Sequence, residues 1–193
     1  MPTAFSRILL SLLLLLPMAA HAGDARDFVA ANPAKQASLL ESWSAAPDSA
    51  RMPLLEALQQ GRVAADSAKT AFIETAGNYQ AAEGEAQPLD TPKKLRLNNR
   101  LRGLIATAVA SHQLLVDDPA LRLAAAQQLQ KSAKPAQLQL LNAQVASETD
   151  DGVRAALTLA LANLQLVDSD LAVRLAAVRL LGETGDPLAR TRL

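Results

Sequence analysis

The groups able to do covalent or metal chemistry are few in this sequence: two histidines and no cysteine in 193 residues. His21 falls in an apolar leader described below, which leaves His112 alone in the remainder. One histidine without cysteine cannot supply the three or four protein ligands of a zinc centre. Ser111 stands beside it, but adjacent residues of a helix do not face each other, so the two cannot pair as nucleophile and base. His112 is therefore read as a packing residue. Two acidic turns, Asp117-Asp118 and Asp168-Ser169-Asp170, bring carboxylates close in sequence. They lack the alternating ligands, the glycine and the closing glutamate of a calcium loop. No glycine-rich phosphate loop, nucleophile elbow or zinc-protease motif occurs. The sequence thus assigns no catalytic, cofactor-binding or metal-binding residue, calls for no cofactor, and is read as not an enzyme.

What the acidic turns do contain is a recurrence. Asp118, Asp150 and Asp170 are each followed three residues later by Leu121, Val153 or Val173, and then by Arg122, Arg154 or Arg174. This pattern, D-x-x-[LV]-R, precedes three Ala-rich stretches of helical character at spacings of 32 and 20 residues (150 minus 118, and 170 minus 150). An aspartate ahead of a first helical turn accepts from the free backbone N–H groups there, and its charge suits the positive helix end. The arginine either forms a ladder with acids of the neighbouring unit or lies solvated on the surface. In the last unit Leu171, Leu175, Val178 and Leu181 recur at helical spacing, with Ala177 beside them, and are expected to share one face. Gly182 and Gly185 suit a C-terminal cap, and Pro187 the start of another helix. Recurring short helices predict a mostly α, HEAT-like α-solenoid.

The elements that position these units follow in order. Residues 23–60 read as N-terminal helices: Asp24 to Ala31, Pro33 to Ala46 with Trp43 as a core anchor, and a helix capped by Asp48 that ends at Gly61. Residues 61–92 are different. Short runs of Val, Phe, Ile, Thr and Tyr around Gly77-Asn78 predict a small β-meander near 62–85, with Phe72 and Tyr79 packing across strands, and then a loop. Residues 93–193 carry the helical repeats. Their opening, Thr91 to Arg102, is the densest basic segment, read as a solvated turn into a helix or as a docking surface for an acidic partner or lipid headgroups. Asn98 or Asn99 caps that helix, and Leu101, Leu104, Ile105, Ala108 and Leu115 trace its face together with His112.

Residues 1–22 read as a secretory signal: Arg7, the nine-residue apolar run Ile8 to Leu16, the breaker Pro17, and Ala20-His21-Ala22 as cleavage site. A helix of nine residues is about 13 Å long, too short for a hydrocarbon core of about 30 Å. Export to the periplasm is expected. The remaining 171 residues (193 minus 22) hold 18 basic side chains (19 less Arg7) against 19 acidic ones. That balance argues against nucleic acid as a partner. Aromatics are 3% of the sequence, so the core must be built of Leu, Ala and Val, as helix-on-helix packing allows.

With the AHA-type signal, three segments carry a resemblance: PLLEALQQGRV at 53–63, KKLRLNNRLRGLIATAVASHQLL at 93–115 and VRLAAVRLLGETGDP at 173–187. Together they resemble the N-terminal periplasmic extension found on one of the two permeases of bacterial urea ABC transporters, within the branched-chain amino-acid permease group. The resemblance implies a role in urea uptake through protein–protein contact. It also implies partners among the urea-binding protein and the other transporter subunits, and attachment to the inner membrane through a permease domain that would follow Leu193. The sequence is accordingly expected to be the head of a longer protein, and no transport residue of the family falls within it. The reading from another class is a free-standing periplasmic scaffold or binding protein with no transport role.

Overall fold

The computed structural model describes residues 23–184. Three short helices come first: α1 (Asp24–Ala30), α2 (Pro33–Ala45) and, after a single 3-10 turn at Ser49–Arg51, α3 (Met52–Gln59). Strands β1 (Val63–Ala65), β2 (Ala71–Thr75), β3 (Asn78–Ala81) and β4 (Lys93–Lys94) follow. The chain then runs through α4 (Asn99–Gln113), α5 (Pro119–Ser132), α6 (Leu138–Ser147), α7 (Asp151–Gln165) and α8 (Leu171–Thr184). The described fold is mostly helical with one small antiparallel sheet in the order β3-β2-β1-β4.

Local chemistry sets these boundaries. Asn32 and Asn98 accept from Lys35 N and Leu101 N, both at 2.9 Å, which satisfies a free donor in the first turns of α2 and α4. Proline occupies the first turn of α2, α3 and α5, where its missing N–H costs nothing. Between β2 and β3, Ala76 and Gly77 both have positive φ, 51° and 83°, and Thr75 pairs with Asn78. That is a two-residue turn whose twist matches the strands. The turn therefore sits one residue earlier than Gly77-Asn78. Asp66 organises the next connection: its carboxylate accepts from the backbone N–H groups of Ala68, Thr70 and Leu89 at 2.9 to 3.3 Å. These bonds hold its pKa below the usual carboxylate value against the opposing effect of desolvation.

The sheet departs from the sequence reading in two places. Lys93 and Lys94, expected in a solvated turn, form β4 and pair with Ala65 and Ala64 of β1. Lys94 also forms an ion pair with Glu74 of β2. A free strand edge needs backbone partners whatever side chains they carry, and two lysines suit a sheet edge that must not recruit another chain. Phe72 does not face Tyr79: the register sets Phe72 opposite Ala81 and Tyr79 opposite Glu74. Phe72 is fully buried and Tyr79 only partly so.

Two hydrophobic cores meet along α4. Phe28, Leu40, Trp43, Leu55 and Leu58 from α1–α3, with Val63 and Ala71 of the sheet, pack on Leu101, Ile105 and Ala108 of α4. The far end of the same helix, Ala110 and Leu114, packs with Ala126, Leu129, Leu141 and Leu157 of α5–α7. Leu114, four residues after Ala110, thus faces the second core, and Leu115 is 43% exposed. A smaller cluster joins Ala162 of α7 to Ala177 and Leu181 of α8. Gly182 lies within α8, not at its cap. Gly185 and Pro187 lie outside the described residues.

Candidate functional site

The three recurrent motifs all sit at helix starts. Asp118 accepts from Ala120 N at 2.8 Å, Asp150 from Val153 N at 2.9 Å and Asp170 from Ala172 N at 2.8 Å. Each is the residue immediately before its helix, as capping requires. The arginines share a geometry that neither sequence alternative described. Each guanidinium turns back onto the two carbonyls six and five residues before it, in the turn that leads into its own helix. Arg122 donates to Val116 O (3.0 Å) and Asp117 O (2.7 Å). Arg154 donates to Glu148 O (2.9 and 3.1 Å) and Thr149 O (3.3 Å). Arg174 donates to Asp168 O (2.7 Å) and Ser169 O (2.9 Å). Aspartate satisfies the amides that open each helix and arginine the carbonyls just before it, so each turn is closed from both sides.

Of the three, Arg122 also makes the expected rung to an acid of the next unit. Its Nε and Nη2 donate to Glu148 Oε2 at 2.8 Å and Oε1 at 2.9 Å. Glu148 Oε1 further accepts from the amides of Thr149 and Asp150. The Glu148 side chain is 3% exposed. The Arg122 bond, with those two amides, brings its carboxyl down to about 2, against the desolvation that opposes ionisation. Because Arg154 holds the carbonyl of the same residue, Glu148 ties two motif arginines together. Arg154 also meets Asp151 at 2.8 Å, but Asp151 is 93% exposed, so that pair contributes little.

A fourth, variant turn escaped the sequence reading because its spacing is one residue shorter. Asp48 accepts from Ala50 N, and Arg51 donates to Ala46 O and to Asp24 Oδ2 of α1. The same guanidinium lies 5.8 Å from the Trp43 ring centroid, and Trp43 in turn meets Phe28 at 5.7 Å. Trp43 is thus a buried anchor roofed by a cation. Also unforeseen is Glu83, whose two carboxylate oxygens accept from Gly23 N and Ala25 N, each at 2.7 Å.

His112 is buried, as its position on the α4 face predicts, but it is only half satisfied. Nδ1 lies 2.8 Å from Ala108 O, and Nε2 is buried without a partner. Burial, with a lesser push from Arg51, lowers its pKa below the usual histidine value, so the ring is neutral at pH 7. Ser111, its neighbour, accepts from Gln137 Nε2 at 2.7 Å and so fastens the 3-10 turn Pro135–Gln137 to α4. Neither residue shares a cluster with a second nucleophile or base among the described residues.

The surface feature best suited to a partner is the outer side of α8. The helix buries Ala177 and Leu181, whereas Leu171 (58% exposed), Leu175 (48%) and Val178 (37%) point outward. The expected single inward stripe is therefore divided: Leu181 goes inward with Ala177, and the other three form an open apolar row. Periodicity identifies which residues align but not which side a neighbour covers. Val167, 77% exposed in the turn before α8, stands at the same end of the fold. By contrast, the groove of about 280 Å³ where α2 and α4 meet the Pro135–Gln137 turn is lined by Ser44, Leu104, Thr107 and Gln137, with one acid, Glu41, and one base, Lys134.

No protein-family model, curated protein or solved structure matches this chain. Among the described residues no helix is long and apolar enough to cross a membrane, and no three His, Asp or Glu side chains cluster as metal ligands. Ala20 and Ala22 lie outside the described residues.

Proposed function

We propose that the chain is the exported N-terminal domain of a urea ABC transporter permease, a HEAT-like helical-repeat module that works by protein–protein contact. The open apolar row Leu171-Leu175-Val178 carries this reading, because an exposed row of this kind on a helix whose other side is packed suits a protein partner. The repeat character is supported by the identical use of Arg122, Arg154 and Arg174, and by α5 packing on α7 and α7 on α8 in succession. The leader at residues 1–22 supports a periplasmic location, and the three segments named above support the transporter. The partner we assign is the periplasmic urea-binding protein.

Site-specific photo-crosslinking tests it. A photoreactive residue at position 175, in cells induced for urea uptake, is expected to capture the urea-binding protein, and Val178→Glu in the same chain to abolish capture. Absence of any transporter component from the adduct, or capture unaffected by Val178→Glu, would leave the free-standing scaffold as the better reading.

A further inference from the structure

Among the described residues, Glu83 is the acidic side chain that reaches back to Gly23, where the described chain begins. It stands in the loop after β3, sixty positions from Gly23 in sequence, and its Oε2 takes the Gly23 N–H at 2.7 Å. Its Oε1 takes the Ala25 N–H at the same distance. Gly23 is held on its other side too, since its carbonyl accepts from Asp27 N at 2.7 Å. Its φ of 128° lies in the region that favours glycine, so this residue type is matched to its place. Independently, the Ala20-His21-Ala22 pattern puts an export cleavage between Ala22 and Gly23. The nitrogen a processing enzyme would free is the nitrogen Glu83 already holds.

We propose that Glu83 is the receptor for the α-ammonium created at Gly23, so that removal of residues 1–22 turns a neutral N–H···carboxylate contact into an ion pair that locks α1 to the β-sheet loop. The inference rests on the export reading given above. The step is a hydrolysis by an export endopeptidase. Water adds its oxygen to the Ala22 carbonyl carbon, the C–N bond breaks, and the nitrogen takes up protons to become an ammonium. The freed group keeps its bond to Oε2 and gains charge, and charge-assisted bonds are the stronger kind. The acidic groups around it favour the cation, and the positive end of α1 opposes it. Asp24 and Asp27 stand on α1, Arg51 approaches from the 3-10 turn but is bound to Asp24 at 2.6 Å, and Glu83 comes from the loop. Glu83 and Asp24 both line an open groove of about 410 Å³.

The test uses the exported full chain. Intact mass of the periplasmic product is expected to give a chain beginning at Gly23. Amine-selective labelling of that terminus at pH 8 is then expected to run about threefold slower than in Glu83→Gln, the size a partly exposed ion pair gives. Acetylating the terminus of the wild-type chain, which removes its charge but keeps an N–H for Glu83, is expected to lower its melting temperature part of the way to that of Glu83→Gln. A product that begins elsewhere overturns both the lock and the assigned cleavage. A product that begins at Gly23 but labels equally fast in both chains, or melts unchanged after acetylation, overturns the lock alone and leaves export standing.

Discussion

Replacing Glu148 by glutamine removes one charge at the point where two motif arginines converge, and its cost follows from the geometry. Wild-type Glu148 accepts two bonds from Arg122 and two from backbone amides, and its carboxyl is lowered from 4.5 to about 2. A displacement of that size corresponds to about 3 kcal/mol if fully transmitted to stability. Arg122 keeps 15% of its side-chain surface in water, which screens part of this, so about 2 kcal/mol is expected at pH 7. For a chain of this size that is a fall of about 4–8 °C in melting temperature. The pH dependence has a definite sign. A carboxyl whose folded pKa is depressed contributes fully above its unfolded value, near 4.5, and loses that contribution as pH falls toward 2. Thermal melts followed by far-UV circular dichroism at pH 7, 4.5 and 3 should therefore show a gap between wild type and Glu148→Gln that is widest at pH 7 and closes on acidification. A gap under about 0.5 kcal/mol at pH 7, the range of ordinary surface changes, would refute the reasoning. So would one that is as wide at pH 3. In a double-mutant cycle, Arg122→Met should recover most of the same energy, because both changes break one contact.

Other outcomes follow from the same geometry. Leu157→Ala, at a fully buried position between α5 and α7, should cost about 3 kcal/mol in equilibrium unfolding. The lowered pKa of His112 means that stability is complete above the unfolded histidine value of 6.5 and declines as pH drops below it. His112→Phe should abolish the fraction of that decline between pH 7 and 5 that the melting temperature reports. Arg174→Gln, which leaves the carbonyls of Asp168 and Ser169 to water, should lower stability by about 1 kcal/mol and raise amide exchange in the turn before α8. Val178→Glu should leave the melting temperature within about 2 °C, since the position is partly exposed, while preventing capture of the urea-binding protein by the residue at position 175.

The parts of this fold that were legible in the sequence are those fixed by local chemistry. Asp118, Asp150 and Asp170 cap helices because a short carboxylate beside a helix start has few better uses, and Asn98 caps α4 for the same reason. The β-meander was legible from short runs of Val, Phe, Ile, Thr and Tyr around Gly77-Asn78. What the sequence hid depends on neighbours distant in the chain. β4 exists because β1 has a free edge, not because Lys93-Lys94 prefers a strand. The arginine bonds go to main-chain carbonyls, which every residue carries and no pattern marks. Leu114 points inward in place of Leu115 because α4 turns a second side, through Ala110 and Leu114, toward α5–α7. Helix α6, with Leu141 its only buried residue, gave too weak a stripe to stand out.

The arginine closures have a consequence for the order in which the chain folds. Each spans five or six residues, whereas Glu83 must find Gly23 across sixty. Loop-closure entropy grows with the logarithm of length, so a tenfold longer loop costs about 2 kcal/mol more before any contact repays it. The turns ahead of α5, α7 and α8 can therefore form early and independently. The segment from Gly23 to Trp43 must wait until the sheet and its following loop exist. In a chain that emerges from its amino end, the residues that appear first are then among the last to be fastened, and the interval between the two is when α1 and α2 are open to proteases or to a chaperone.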